Sequence, residues 1–442
     1  MLGAWLWLAA CSPPNEGEPA GVPVAVRLNP NGPLSPFVVV DAPVDAEVVV
    51  EVVGPDGATF ERAAAWDGTH HVAWIWGLSA EADYEVTARV DGAAWAPIPL
   101  QTEPLPFAPP VATVVVDEAG RDEGLTLIVS HIDGEVLGTG YDPAGNVVWY
   151  YDAGPIEQLG TASLRLLPDG NLAMFLDGEI RVITPDGQTV SSRRVPYTHD
   201  AILRPDGHLL YVTDRIETYE VAVLGETHDV LVDGVIEVDA DGKKVAEWWA
   251  SDDLDIQRFD SALSKTNEMG NASLDWGHAN ALVERDDGLL LLSLRHQSWI
   301  VALDWTTQRT RWVLGEDGDF SIDDPKDWFN SQHSPEPMPD GSILIYDNGV
   351  ERSPPYTRVM RMALDETGRK ADLMWSFRLD VFTAHAGDVD PLPDGNVLVT
   401  AGEPSNLREP PRVFEATADA EVLWQMEVAG PPIFRATRIP GF

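Results

Sequence analysis

The amino-acid sequence predicts an all-β protein, and three observations carry that prediction. Apolar residues alternate over short runs bounded by Gly, Pro, Asn and Asp, and no helical periodicity competes over a comparable length. After about residue 110, a Pro-Asp-Gly turn leading into an apolar strand returns several times. Between those copies a second turn-and-strand element recurs, usually carrying Trp. Sheets repeated in this way bury their faces against their neighbours, as the blades of a β-propeller do. The predicted architecture is a six-bladed β-propeller preceded by a small Ig/fibronectin III-like β-sandwich.

From the N-terminus, Met1 to Ala10 read MLGAWLWLAA, an apolar run too short to span a bilayer as a permanent helix. Leu8-Ala9-Ala10-Cys11 resembles a bacterial lipobox, in which the cysteine becomes lipidated. Ser12 to Gly21 form a Pro/Gly/Glu tether with nothing to build a core. Residues 1–21 are thus expected to be a lipoprotein-type signal and tether, and the protein an exported lipoprotein, periplasmic or on the cell surface.

Residues 22–104 are expected to form the sandwich. Phe37-Val38-Val39-Val40, Glu47 to Val53 and Tyr84 to Val90 read as strands, with turn chemistry such as Pro55-Asp56-Gly57 between them. Gly77-Leu78 followed by Asp83-Tyr84-Glu85-Val86 looks like the fibronectin III corner in which a tyrosine locks a late strand. Glu103 to Pro110, EPLPFAPP, is a proline-rich linker.

Residues 111–442 are expected to be the propeller and catalytic domain. The first repeat occurs at Pro168-Asp169-Gly170, Pro205-Asp206-Gly207, Pro339-Asp340-Gly341 and Pro393-Asp394-Gly395, with a degenerate copy at Asp286-Asp287-Gly288. The second leads to strands ending at Trp149, Trp248, Trp312, Trp375 and Trp424, and Pro185-Asp186-Gly187 opens a copy without Trp. These give about six units, and each Trp is expected to be core between blades.

Charge and cysteine content narrow the function. With 72 Asp+Glu against 29 Lys+Arg, the formal net charge is -43. Such a surface repels nucleic acid and anionic lipid headgroups, so a nucleic-acid partner is not expected and membrane contact runs only through the lipid anchor. Cys11 is the single cysteine, so no intramolecular disulfide or cysteine-based zinc site can form. A direct search finds no GxSxG, Walker loop, Rossmann fingerprint or HExxH motif.

Four of the ten histidines stand in register with the first repeat. His199 and His333 each lie six residues before a Pro-Asp-Gly turn, and His278 and His385 each lie eight before its counterpart. Equivalent positions in a propeller share height and radius, so these four side chains are expected to meet at one mouth of the channel. His70, His71 and His131 fall outside the pattern, as do His208 and His228, and His296 adjoins Arg295.

The surrounding residues read Tyr197-Thr198-His199-Asp200, Asp275-Trp276-Gly277-His278-Ala279-Asn280, Ser293-Leu294-Arg295-His296-Gln297 and Ser331-Gln332-His333-Ser334-Pro335. Together these resemble the bacterial arylsulfotransferases, the aryl-sulfate sulfotransferases that work without a nucleotide sulfate donor. The resemblance runs from about Val111 to about Gly402. It implies that His333 takes up the sulfuryl group as a transient sulfohistidine. It also implies that His199, His278, Asn280 and Arg295 surround the sulfate, with no cofactor.

The residue types suit that chemistry. Sulfuryl transfer spreads negative charge over equatorial oxygens, which calls for surrounding donors. Arg295 offers a permanently charged planar fork and Asn280 a neutral donor. On a strand, Asn280 would point the same way as His278, two residues earlier. His278 or His199 would protonate the departing phenolate and later deprotonate the acceptor. His385 is in register and is expected to line the substrate site.

The expected partners are a small aryl sulfate donor and a phenolic acceptor, and a homodimer is left open. Two rivals remain at the level of sequence. One is a non-catalytic, surface-tethered binding propeller. The other is a metal-dependent oxygenase with four histidine ligands.

Overall fold

The computed structural model describes residues 24–439, apart from residues 30, 156–160, 177 and 266–272. The expected signal, tether and lipidation site at Cys11 lie outside the described residues. Within them the chain is all-β: antiparallel sheets dominate, and the one α-helix is the four-residue Ala250–Asp253.

Residues 24–101 form two sheets. One orders Val24–Arg27, Phe37–Val40, His71–Trp74 and Ala65–Trp66. The other orders Thr59–Ala63, Val48–Val53, Asp83–Val90 and Ala93–Ala94, with Ile98–Gln101 also on Asp83–Val90. Alternation buries every second residue of Val48–Val53, so Val48, Val50 and Val52 meet Val38, Val40 and Val86 in one cluster. At the expected corner the Ser79 N–H donates to the Tyr84 hydroxyl at 2.8 Å.

Six further sheets follow. Sheet I orders Val147–Pro155, Glu135–Tyr141, Leu125–Ile132 and the C-terminal Ala436–Ile439. Sheet II runs in chain order from Ser163–Leu166 to Thr189–Arg194 and sheet III from Ala201–Leu203 to Lys244–Trp249. Sheet IV runs from Ala279–Glu284 to Arg309–Leu314 and sheet V from His333–Pro337 to Lys370–Arg378. Sheet VI runs from Asp388–Pro391 to Val422–Ala429, and Val111–Asp117 adds a fifth strand beside Val422–Ala429. Both ends of this region are therefore paired with strands distant in sequence.

The repeats account for the hairpins. In Pro168-Asp169-Gly170, Gly170 takes φ 84° and donates to Leu167 O at 2.8 Å, while Asp169 accepts from Asn171 N at 3.0 Å. Left-handed backbone of this kind favours glycine, which is why the turn keeps one. Pro205-Asp206-Gly207 repeats the same bonds. Each such turn joins the first strand of a sheet to its second.

The Trp-bearing element supplies the fourth strand of sheets I, III, IV, V and VI, and the copy without Trp supplies that of sheet II. Trp149, Trp248, Trp312 and Trp424 are almost fully buried and Trp375 is half-buried. Each joins a cluster shared by its own sheet and the next: Trp149 by I and II, Trp248 by III and IV, Trp312 by IV and V. Trp375 packs where V meets VI, and Trp424 where VI meets I. A further cluster joins II to III. Trp149 and Trp424 also donate to a turn of the neighbouring sheet, at Pro185 O and Pro143 O, both at 2.8 Å.

Candidate active site

The four histidines in register stand at the opening of the first strand in four consecutive sheets, III to VI. His199 lies two residues before Ala201–Leu203, and His278 immediately before Ala279–Glu284. His333 opens its strand, and His385 lies three residues before Asp388–Pro391. The rings of His199 and His278 meet edge to face with centroids 4.7 Å apart, and His278 stacks on His296 at 4.6 Å. Arg295 donates to His296 Nε2 at 2.8 Å, to Ala384 O at 3.0 Å and to His385 Nδ1 at 3.2 Å. Strands from separate sheets thus bring His199, His278, Arg295, His296 and His385 into one cluster. The charges of Arg295, His278 and His199 also bear on His333.

The backbone here is unusual. His278, Ser331, Ser334 and Ala386 all take φ between 46° and 53°, a left-handed conformation rare for such residues. Backbone strain of this kind gathers where surrounding structure over-determines it, often at functional sites. Gly277 has no room for a side chain, since a Cβ there would lie 2.1 Å from Asp233 Oδ2.

The backbone also corrects one expectation. His278 precedes the strand in a left-handed conformation, and a register shift lies between Ala279 and Ala281. Strand alternation therefore does not relate His278 to Asn280. Asn280 is fully buried, and its Nδ2 donates to Gln332 O at 2.8 Å. One of its two N–H groups thus ties sheet IV to the residue preceding His333.

The two central histidines are anchored differently. His278 Nδ1 lies 2.6 Å from Asp275 Oδ2. Burial works against the charged form of Asp275. The hydrogen bond from His278 and the charges of the nearby histidines outweigh it, and hold Asp275 below the usual carboxylate range. His333 is 4% exposed, and its Nδ1 lies 2.7 Å from Asn348 Oδ1. Burial and the Arg295 charge push the His333 imidazole well below the usual histidine range, against the pull of the Asn348 hydrogen bond. Burial also drives His199 down to about 3, with the charge of His278 adding to it. His199 and His333 are therefore neutral near pH 7, whereas His278 is hydrogen-bonded to a carboxylate.

Beneath the cluster runs a buried ion network that sequence reading missed. Asp200 pairs with Arg165 at 2.6 Å and with Arg435 at 3.1 Å, and accepts from Leu282 N at 3.0 Å. Arg435 reaches Asp388 at 3.6 Å, and Ser334 Oγ donates to the same carboxylate. The network holds the strands that follow His199, His278, His333 and His385. A 520 Å³ cavity lined by Arg165, Glu336, Asp388, Asp390 and Arg435 adjoins it.

Asp200 and Asp275 sit inside the motifs that surround the histidines, so spacing alone could have flagged them. Asn348 could be found only through strand pairing, since His333 lies opposite Tyr346. Arg435 carries no local signal. The remaining histidines lie elsewhere: His71 faces Pro43 O at 2.8 Å, His208 faces Glu237 at 2.8 Å and His228 faces Glu226 at 3.2 Å.

Asp275, His278 and His296 each place one potential ligand atom within 4.8 Å of the others. The donor set does not suit a metal ion. His296 Nδ1 lies 2.7 Å from Asp275 O, and its Nε2 accepts from Arg295, so both ring nitrogens are engaged. A guanidinium beside the site also repels a cation.

The arylsulfotransferase (ASST) family model matches residues 112–429. A search of curated proteins finds no match. Among solved structures, the chain is similar to a protein of unknown function from Bacteroides caccae, at 13% identity and a TM-score of 0.47. That alignment covers 72% of this chain and 99% of the other. A periplasmic gluconolactonase from Pseudomonas aeruginosa aligns at 13% identity and a TM-score of 0.40, again over 72% and 99%. A virginiamycin B lyase from Staphylococcus aureus aligns at 11% identity and a TM-score of 0.33, with the same coverage.

Proposed function

The chain belongs to the arylsulfotransferase family, and from that premise we propose that it moves a sulfuryl group from an aryl sulfate ester to a phenolic acceptor through a sulfohistidine on His333. The family supports the aryl-sulfate sulfotransferase activity. The two-step route through His333 is supported by one arrangement: a buried imidazole lies within the field of the Arg295 guanidinium and of His278, whose ring is oriented by a carboxylate.

In the first step a ring nitrogen of His333 attacks sulfur. The new N–S bond forms as the S–O(aryl) bond breaks, and protonated His278 gives its proton to the leaving phenolate oxygen. Arg295 faces the charge on the transferring oxygens. Asp275 stabilises the imidazolium form of His278 that donates the proton. In the second step neutral His278 removes the proton of the acceptor phenol. The phenol oxygen then attacks sulfur, the N–S bond breaks, and His333 returns to its neutral form. His199, held neutral, packs against His278 and is not the proton carrier.

The six sheets that pack in sequence, with VI returning to I, are read as a six-bladed β-propeller. The two sheets of residues 24–101 are read as the Ig-like sandwich. Residues 22–104 and 111–442 serve as the two domains, and a lipid on Cys11 would hold them at the periplasmic or outer surface of a membrane.

Incubation with 4-nitrophenyl sulfate and phenol tests the reaction. Nitrophenolate release that depends on phenol, with phenyl sulfate formed in equal amount, is the expected result. Release of free sulfate alone would contradict group transfer.

A further inference from the structure

Asn348 stands one residue beyond the strand Ile343–Asp347 and is fully buried. Its amide nitrogen donates twice, to Thr383 O and to Ala386 O, both at 2.9 Å. Carbonyl oxygens only accept, so these two bonds fix the amide nitrogen toward the 383–386 segment. The amide oxygen must then face His333, and it does, 2.7 Å from Nδ1. An oxygen acceptor at that distance requires the proton to be on Nδ1. A neutral ring protonated there carries its one free lone pair on Nε2.

We propose that Asn348 is a positioning residue that fixes His333 in its Nδ1–H tautomer and so makes Nε2 the sulfuryl-accepting atom. The proposal rests on the reading of His333 as nucleophile.

The segment that holds Asn348 is itself held. Thr383 N donates to Thr357 Oγ1 at 2.9 Å, and Tyr346 shares a 2.7 Å hydrogen bond with Thr383 Oγ1. Gly387 takes φ 112°, and a Cβ there would lie 2.1 Å from the Tyr346 ring, so the turn presses directly on that ring. The same turn receives Arg295 at Ala384 O and His385 Nδ1. One short segment therefore sets both the tautomer of the nucleophile and the position of the guanidinium.

An amide is also the apt partner for the chemistry. When Nε2 bonds to sulfur, the ring keeps its Nδ1 proton and becomes cationic. Asn348 accepts that hydrogen bond without taking the proton. In the second step the N–S bond breaks and the ring leaves as a neutral imidazole. Among the described residues, the charged and titratable groups that bear most on His333 are Arg295, His278 and His199, and each disfavours the imidazolium against the pull of the Asn348 hydrogen bond.

Nitrogen NMR of the full chain, ¹⁵N-labelled on histidine, tests the proposal without relying on activity. His333, assigned by the signal missing from His333→Gln, is expected to show a protonated Nδ1 and a bare Nε2 at pH 7.5. Asn348→Leu is expected to lose that single tautomer. Its kcat with 4-nitrophenyl sulfate and phenol should fall about 100-fold, the scale of a misplaced reacting group, with KM little changed. Asn348→Asp keeps the acceptor and adds a negative charge that favours the imidazolium. It is expected to regain rate only at higher pH, with the acidic limb of kcat moved up by about one pH unit or more.

An Nε2–H tautomer in the native protein would overturn the proposal. So would wild-type tautomer and rate in Asn348→Leu. Should that variant fail to fold, the native tautomer and the Asn348→Asp profile still decide. An Nδ1–H tautomer in a protein that turns over no aryl sulfate would uphold the positioning and defeat the functional reading instead.

Discussion

Asp275 Oδ2 and His278 Nδ1 lie 2.6 Å apart, which joins a buried carboxylate to a histidine at the centre of the cluster. The hydrogen bond fixes the ring so that Nε2 faces away from Asp275. It also separates the roles of the two histidines that sequence alone left interchangeable, since His199 has no such carboxylate partner among the described residues.

Replacing Asp275 by Asn should leave the ring placed but weaken the imidazolium. The expected loss in kcat is about 10²- to 10⁴-fold, the usual worth of a general acid–base group. The loss should be smaller for donors whose phenol leaves easily, because those need less help from a proton. Steady-state kinetics across a series of substituted phenyl sulfates measures this. An equal loss for good and poor leaving groups would argue against His278 as the proton donor.

Acid should destabilise the fold through His199. Its folded value lies near 3, below the unfolded value of about 6.5. The unfolded chain therefore binds the proton first. Stability from this group is fully present above pH 6.5 and declines as pH falls toward 3, by about 1.4 kcal/mol per pH unit. His333 acts in the same direction. Urea denaturation of wild type and His199→Gln at stepped pH measures the slope. The variant should show a shallower acid limb, and an unchanged limb would refute the assignment.

Arg295 is 1% exposed, and its guanidinium spans His296, Ala384 and His385. Lys carries the charge but lacks the planar fork. Arg295→Lys should lower kcat/KM by about 10²-fold and Arg295→Ala by more, with the fold retained in both. Kinetics paired with thermal melts separates the effects. Unchanged turnover in Arg295→Ala would remove Arg295 from the site.

The sequence showed the repeat architecture well because its turns are local. Pro-Asp-Gly needs only its own few residues to form, and the Trp of the second repeat marks the fourth strand of five sheets. The register of His199, His278, His333 and His385 was legible for the same reason, since it counts from those turns. What stayed hidden depends on contacts between sheets. The tie from Arg435 to Asp200 and Asp388 joins residues far apart in the chain. The bond from Asn348 to His333 becomes visible only once the two strands are paired. The strand alternation expected to relate His278 to Asn280 does not apply, because the left-handed φ of His278 places it outside the regular strand.

The central claim is a covalent bond between His333 and sulfur. Brief exposure to 4-nitrophenyl sulfate without acceptor, followed by an alkaline quench that preserves acid-labile adducts, allows peptide mass spectrometry to look for it directly. The expected result is one sulfuryl group on the peptide containing His333, lost on addition of phenol and absent in His333→Gln. Turnover with no such adduct under those conditions, or an adduct on another histidine, would contradict the account.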